Sequence, residues 1–289
     1  MPELAVLLAL GAAAAWAVGM TVAKPAVRAM DLVTYTAFRW ILVASLALGY
    51  GLLTGSLAFP GWRVLSLAVL AGVLDCGLGG LLYMSAMQRT SAHKATTLSS
   101  TAPLWGVLGA VFVLAEPLLW QTFVSAALVV VGAAFLTERR RLDPTESRWG
   151  GTLALLTGLL WGFAETVPAK LALTAGMTPV TMLTVFAASG AASAVVLSPL
   201  LRRRTPRRVT RRGFALAILS GVAGAFLGWL LWLYALQQAP ASLVSPIRGS
   251  TLFFALLYSM IFLGERPRAR AWIGIALVAS GVVLVSFLP

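Results

Sequence analysis

Apolar residues recur along this chain in blocks of about twenty, the length a helix needs to cross the hydrocarbon core of a bilayer, separated by short polar or charged connections. Ten such spans are expected, at 4–23, 32–53, 64–87, 94–114, 120–137, 150–170, 178–200, 213–236, 242–263 and 271–288. No connection between them is long enough to hold a soluble domain. The pattern predicts an all-α, polytopic membrane protein.

The blocks also repeat. Leu67, Ala68, Gly72, Val73, Leu78, Gly79, Leu81, Leu82, Ala86 and Gln88 recur at Leu216, Ala217, Gly221, Val222, Leu227, Gly228, Leu230, Leu231, Ala235 and Gln237, a constant spacing of 149 residues. Glu116 meets Glu265 and Gly132 meets Gly281 in the same register. The chain therefore divides into two repeats, 1–141 and 149–289, with five spans each. Two halves with an odd number of spans lie upside down relative to each other, which places a site between them near the bilayer midplane, as in secondary transporters.

Composition agrees with the span count: 60% of residues are hydrophobic, 11% charged, and the mean hydropathy is +0.91. A net charge of +13 on a soluble chain would point to nucleic acid. Here the basic residues flank spans, so orientation and anionic lipid account for them, and no nucleic-acid partner is expected. The run from Arg202 to Arg212 reads as a topology anchor. Nineteen of the 22 Lys and Arg fall on the side of the odd-numbered connections, which predicts that side to be cytoplasmic and both termini not. The single cysteine, Cys76, excludes a disulfide within the chain and argues against a cysteine metal site. No cleavable signal is expected, since Met1-Pro2-Glu3 leads into the first span without a basic segment. Arg over Lys, with abundant Ala and Leu, looks bacterial, hence an inner-membrane location.

Trp16 and Trp161 sit at similar places in the first span of each half. Thr101-Ala102-Pro103-Leu104 with Ala115-Glu116, and later Leu263-Gly264-Glu265-Arg266, form proline-containing and Gly-Glu-type ends of the fourth and ninth spans; Arg39 lies in the second. With these features the chain resembles the drug/metabolite transporter superfamily, in its ten-helix branch of two EamA-like domains. Leu252 stands at the register position of Pro103, while Pro246 lies earlier in the ninth span. The resemblance implies five-plus-five inverted repeats around a central cavity and transport, often export, of small metabolites. It also implies cytoplasmic termini for many members, opposite to the charge count.

Charges inside spans need a partner, a cavity or a route to the surface. Arg248 lies ~9 Å into the ninth span, beside Pro246 and Gly249, where a guanidinium next to loosened backbone suits capture of a carboxylate or phosphate; an ion pair or snorkelling is the alternative. Asp75, ~16 Å along the third span, is a candidate proton-coupling carboxyl or the partner of a basic residue. Glu165, in the sixth span, falls at the depth of Arg248, so the two are placed to pair. Trp16 and Trp161 are expected to line the cavity, with Tyr83, Ser99 and Ser245 as further substrate-facing candidates. Lys24 and Lys170 are expected to snorkel, and Glu116 and Glu265 to cap the helices that follow them.

No Ser–His pair or His–carboxylate cluster is present, so neither an enzyme nor a metal or other cofactor is expected. The reading is an alternating-access exporter of small metabolites, amino acids first and aromatic ones included. Protons are a candidate coupling ion. A flippase for a lipid or lipid-linked headgroup, or a drug or cation exporter, is the alternative.

Overall fold

The computed structural model describes residues 2–29, 32–90, 92–136, 148–197, 199, 210–263 and 269–287, and every regular element among them is helical. The ten spans are α1 (Pro2–Ala29), α2 (Leu32–Thr54), α3 (Trp62–Gly72, Val73–Gly79 and Gly80–Arg89), α4 (Ala92–Ser99 and Ala102–Phe112), α5 (Trp120–Leu136), α6 (Arg148–Thr174), α7 (Pro179–Val196), α8 (Arg211–Leu219, Ser220–Phe226 and Leu227–Gln238), α9 (Ala241–Ile247, Arg248–Ser250 and Thr251–Leu263) and α10 (Ala269–Ser286). Eight of them are long and apolar enough to cross a bilayer as single stretches. The exceptions are α5, at 17 residues, and α4, which is two pieces where the sequence predicts one span.

Pro103 explains the break in α4. Its ring has no N–H and conflicts with the carbonyl four residues earlier, that of Ser99, where the first piece ends. Thr101 bridges the gap, its hydroxyl donating to the Leu98 carbonyl at 2.8 Å.

The two halves interlock. α3 packs on α6 and α7 of the second half, α8 packs on α1 and α2 of the first, and α5 lies along α10. Matching elements thus make matching contacts across the halves, the relation expected of an inverted repeat. Close approach needs small residues: at Gly19 and Gly224, where α1 meets α8, a Cβ on Gly224 would stand 2.5 Å from the Gly19 Cα. The dry interior is rich in aromatic and aliphatic bulk, with Trp232, Phe186, Leu183, Leu233 and Leu236 fully buried. Leu53, Phe112, Phe123, Ile261, Phe262 and Phe287 are exposed, an outer surface suited to lipid rather than water.

Candidate functional site

Regular α-helix gives way at four places near the middle of the molecule. In α3 the stretch Val73–Gly79 is π-helical, and the Gly80 N–H reaches back five residues to the Asp75 carbonyl. In α8 the stretch Ser220–Phe226 is π-helical too, at nearly the same register. α4 is broken at Ser100 and Thr101, and α9 tightens into a 3₁₀ turn at Arg248–Ser250. Pro246 has no N–H to give to Ser242, and the Arg248 N–H then turns to the Ser245 carbonyl three residues back. A π segment holds Asp75 and a 3₁₀ turn holds Arg248, so both charges stand on irregular backbone.

The distortions of α3 and α9 meet at one cluster. The Arg248 guanidinium is held by both oxygens of Glu165: Nη2 donates to Oε1 at 2.6 Å and Nε to Oε2. The pair is dry on the Glu165 side, whose side chain is 5% exposed, while that of Arg248 is 18% exposed. Two indoles flank the guanidinium carbon, with the ring centre of Trp16 at 5.8 Å and that of Trp161 at 6.0 Å, within cation–π range. Asp75 is buried beside them, its carboxyl in the field of both Glu165 and Arg248. The Cys76 thiol donates to Asp75 Oδ1 at 3.4 Å. The centre therefore holds one guanidinium, two carboxyl groups and two indole faces.

Each indole lies in a cradle made by the other half. A Cβ on Gly79 would stand 2.7 Å from Trp161 Nε1, and one on Gly228, the register mate of Gly79, 2.5 Å from Trp16 Cδ1. The cradles differ in their hydrogen bonds. Trp161 Nε1 donates to the Asp75 carbonyl at 3.1 Å, whereas Trp16 Nε1 is buried without a partner among the described residues. Trp232 donates its indole N–H to the Glu165 carbonyl at 3.0 Å, and its ring lies 5.5 Å from that of Trp16. Trp232 stands 149 residues after Tyr83, at its register position in the other half.

The sequence-predicted residues divide accordingly. Arg248 of α9, Asp75 of α3, Trp16 of α1, and Trp161 and Glu165 of α6 are brought together. Tyr83 sits at the rim, its ring 5.1 Å from that of Trp161 and its hydroxyl 3.0 Å from the Thr96 hydroxyl. Ser99 and Ser245 are buried but donate to backbone, Ser99 to the Thr96 carbonyl at 3.1 Å and Ser245 to the Pro103 carbonyl at 3.2 Å.

Two expectations at the membrane face need correction. Glu116 does not cap the helix that follows it; its carboxylate receives the Ala241 and Ser242 N–H groups, each at 2.8 Å, at the start of α9 in the other half. Lys170 does not simply snorkel; its ammonium donates to the Leu236 and Ala239 carbonyls at 2.5 and 2.8 Å, at the end of α8. The α8–α9 connection is thereby fixed from both ends. Glu265, Arg266, most of the basic run Arg202–Arg212, and the side chain of Lys24 lie outside the described residues. Among the described residues no group of His, Cys, Asp and Glu has the arrangement of a metal site.

Similarity to known proteins matches this architecture. A solved crystal structure superposes with a TM-score of 0.82 at 17% sequence identity, covering 97% of this chain and 95% of that one, a likeness of fold. A probable 4-amino-4-deoxy-L-arabinose-phosphoundecaprenol flippase subunit, ArnE, of Yersinia pestis is 35% identical over 79 residues, 27% of this chain and 66% of the relative. An uncharacterized transporter from the cobO 3′ region of Sinorhizobium is 30% identical over 82 residues, 28% of this chain and 57% of that protein. The chain thus spans just under two thirds of the first relative and less of the second. The EamA-like transporter family model matches twice, over residues 3–138 and 148–287, once for each repeat. A multi-pass helical membrane protein by structure, the chain belongs to the EamA-like transporter family.

Proposed function

We propose that the chain moves a small amine-bearing zwitterion across the bilayer by alternating access, with amino acids, aromatic ones included, as first candidates. One observation carries this reading: Arg248 is already paired with Glu165, and Asp75 adds a second carboxyl beside them. A bare anion finds its guanidinium occupied and two carboxyl groups nearby. A zwitterion exchanges partners instead. Its ammonium takes Glu165 and Asp75, its carboxylate takes the fork of Arg248, and no charge is left unpaired in a dry site. The faces of Trp16 and Trp161 favour the ammonium or an aromatic side chain, and the Trp16 N–H is a free donor. A proton on the Asp75–Glu165 pair balances the charge of the empty site, which is where coupling to protons would enter. Export is taken as the direction from the family resemblance alone.

A second reading has its own support. The name of the Yersinia relative describes cargo with an amino sugar and a phosphate, and an amine with an anion is the same pair of groups. A flippase for such a lipid-linked headgroup therefore fits the same cluster.

The test is counterflow of labelled amino acids into proteoliposomes, with Arg248→Ala as control. Saturable uptake of a subset, lost in the variant, is the expected result. Uptake of none of them, with efflux of cationic drugs or translocation of an amine-bearing lipid headgroup instead, replaces the amino-acid reading by one of the alternatives.

A further inference from the structure

Arg39 is a second arginine inside the spans, and nothing described so far uses it. It lies about 10 Å along α2 from the arginine-rich face, whereas Arg248 lies a similar distance from the opposite one. Unlike Arg248, it has no ion-pair or hydrogen-bond partner among the described residues, and its Nε is fully buried. The guanidinium stands 4.9 Å from the Trp40 ring centre, so an indole face is its counterpart in place of a carboxylate. Its stem passes along Gly221 of α8, where a Cβ would approach the Arg39 Cγ to 3.7 Å. Two hydroxyls are close in the fold. Tyr35 lies one turn earlier on the same face of α2, and its hydroxyl sits 2.7 Å from that of Ser220, the neighbour of Gly221.

A partly buried guanidinium without a counter-charge is costly, and indole contact offsets only a small part of that cost. An anion supplies the rest. Rings connect this point to the central cluster without a gap: Trp40 to Phe186 at 5.4 Å, Phe186 to Trp229 at 4.1 Å, and Trp229 to Trp16 at 5.7 Å. We propose that Arg39 is a second anion site, one that holds a carboxylate or phosphate group on the arginine-rich side of the central Arg248–Glu165 pair. The identification of that anion with the acidic group of the cargo rests on the transport reading above; the site itself does not. A lipid headgroup phosphate has the same chemistry.

The test is a thermal-shift titration of the full chain in detergent micelles with inorganic phosphate and with acetate. The expected result is saturable stabilisation whose apparent affinity falls at least tenfold in Arg39→Gln and at least threefold in Arg39→Lys, which keeps the charge but loses the planar fork. Arg63→Gln is the control, because Arg63 also faces an indole, that of Trp62 at 5.8 Å, but at the exposed start of α3; it should respond as the parent does. Responses of Arg39→Gln and Arg39→Lys within twofold of the parent overturn the site, and if Arg39→Gln fails to fold, Arg39→Lys alone decides. Competition separates the sources. Displacement of phosphate by phenylalanine or phosphorylethanolamine assigns the anion to cargo, and displacement by phosphatidylglycerol in mixed micelles assigns it to lipid. Arg39-dependent binding without counterflow leaves this site standing and removes the amino-acid reading, while counterflow without such binding removes this site alone.

Discussion

α4 and α9 occupy equivalent places in the two halves and lose regular helix at nearly the same register, Ser100–Thr101 in one and Arg248–Ser250 in the other. Different prolines do it. Pro103 lies after the break in α4 and conflicts with the backbone before it; Pro246 lies before the 3₁₀ turn of α9 and leaves a hydrogen bond unmade. The charged group stands at only one of the two breaks: Arg248 in α9, Ser99 in α4. Repetition has thus kept a weak point in the backbone while the chemistry mounted on it diverged. A transporter with two inverted halves needs both weak points if both sides open, but a charged substrate needs to be read only once.

The largest test of this asymmetry removes the partner that makes it tolerable. Glu165→Gln leaves Arg248 buried with no carboxylate bound to it, a change that costs about 3–5 kcal/mol when a buried pair is broken from one side. The expected outcome is a marked fall in thermal stability, with most of it recovered in Glu165→Gln combined with Arg248→Met. If the single variant is as stable as the parent, the pair is not what holds α6 to α9. Next in size is Asp75→Asn, which keeps the shape of the cluster and removes one ionisable group. Counterflow that varies with pH in the parent should become flat to within twofold in the variant. A pH dependence left unchanged places the coupling proton elsewhere.

How far these two helices could be read from sequence is uneven, for physical reasons. Arg248 and Glu165 were legible as a pair because helical rise converts sequence position into depth, and two charges at one depth in an apolar medium have few other ways to be satisfied. The irregular backbone of α9 was legible from Pro246 and Gly249. The break in α4 was not, because a short run of hydroxyl residues, Ser99–Thr101, and a proline inside a span are compatible with either a bend or a gap. The same holds for the π segments of α3 and α8, where an extra residue in a turn leaves hydrophobicity unchanged. The cross-half capping by Glu116 was beyond reach for another reason: its acceptor role depends on where the start of α9 comes to rest, a tertiary fact.

A smaller effect separates the two indole cradles. Gly79→Ala and Gly228→Ala each press a methyl group against a tryptophan ring, Trp161 in one case and Trp16 in the other. Only the first displaces an existing hydrogen bond, that from Trp161 to the Asp75 carbonyl, so it should lower stability by about 1 kcal/mol more than the second. Thermal denaturation of the two purified variants checks the difference. Equal losses would mean that the hydrogen bond adds nothing to the packing.

The smallest expected effect lies at Ser99, the counterpart of Arg248. Its hydroxyl donates to the Thr96 carbonyl within its own helix, a bond that accompanies the end of the first piece of α4 and that Thr101, donating to the Leu98 carbonyl, backs up one turn along. Ser99→Ala should therefore change stability by less than about 1 kcal/mol and leave counterflow within twofold, since one short-range bond of this kind has a small net value. That outcome would locate specificity in the second half's break and leave the first half's as backbone alone. A loss of uptake comparable to that of Arg248→Ala would make both breaks part of substrate recognition, and the two helices would then differ in charge but not in role.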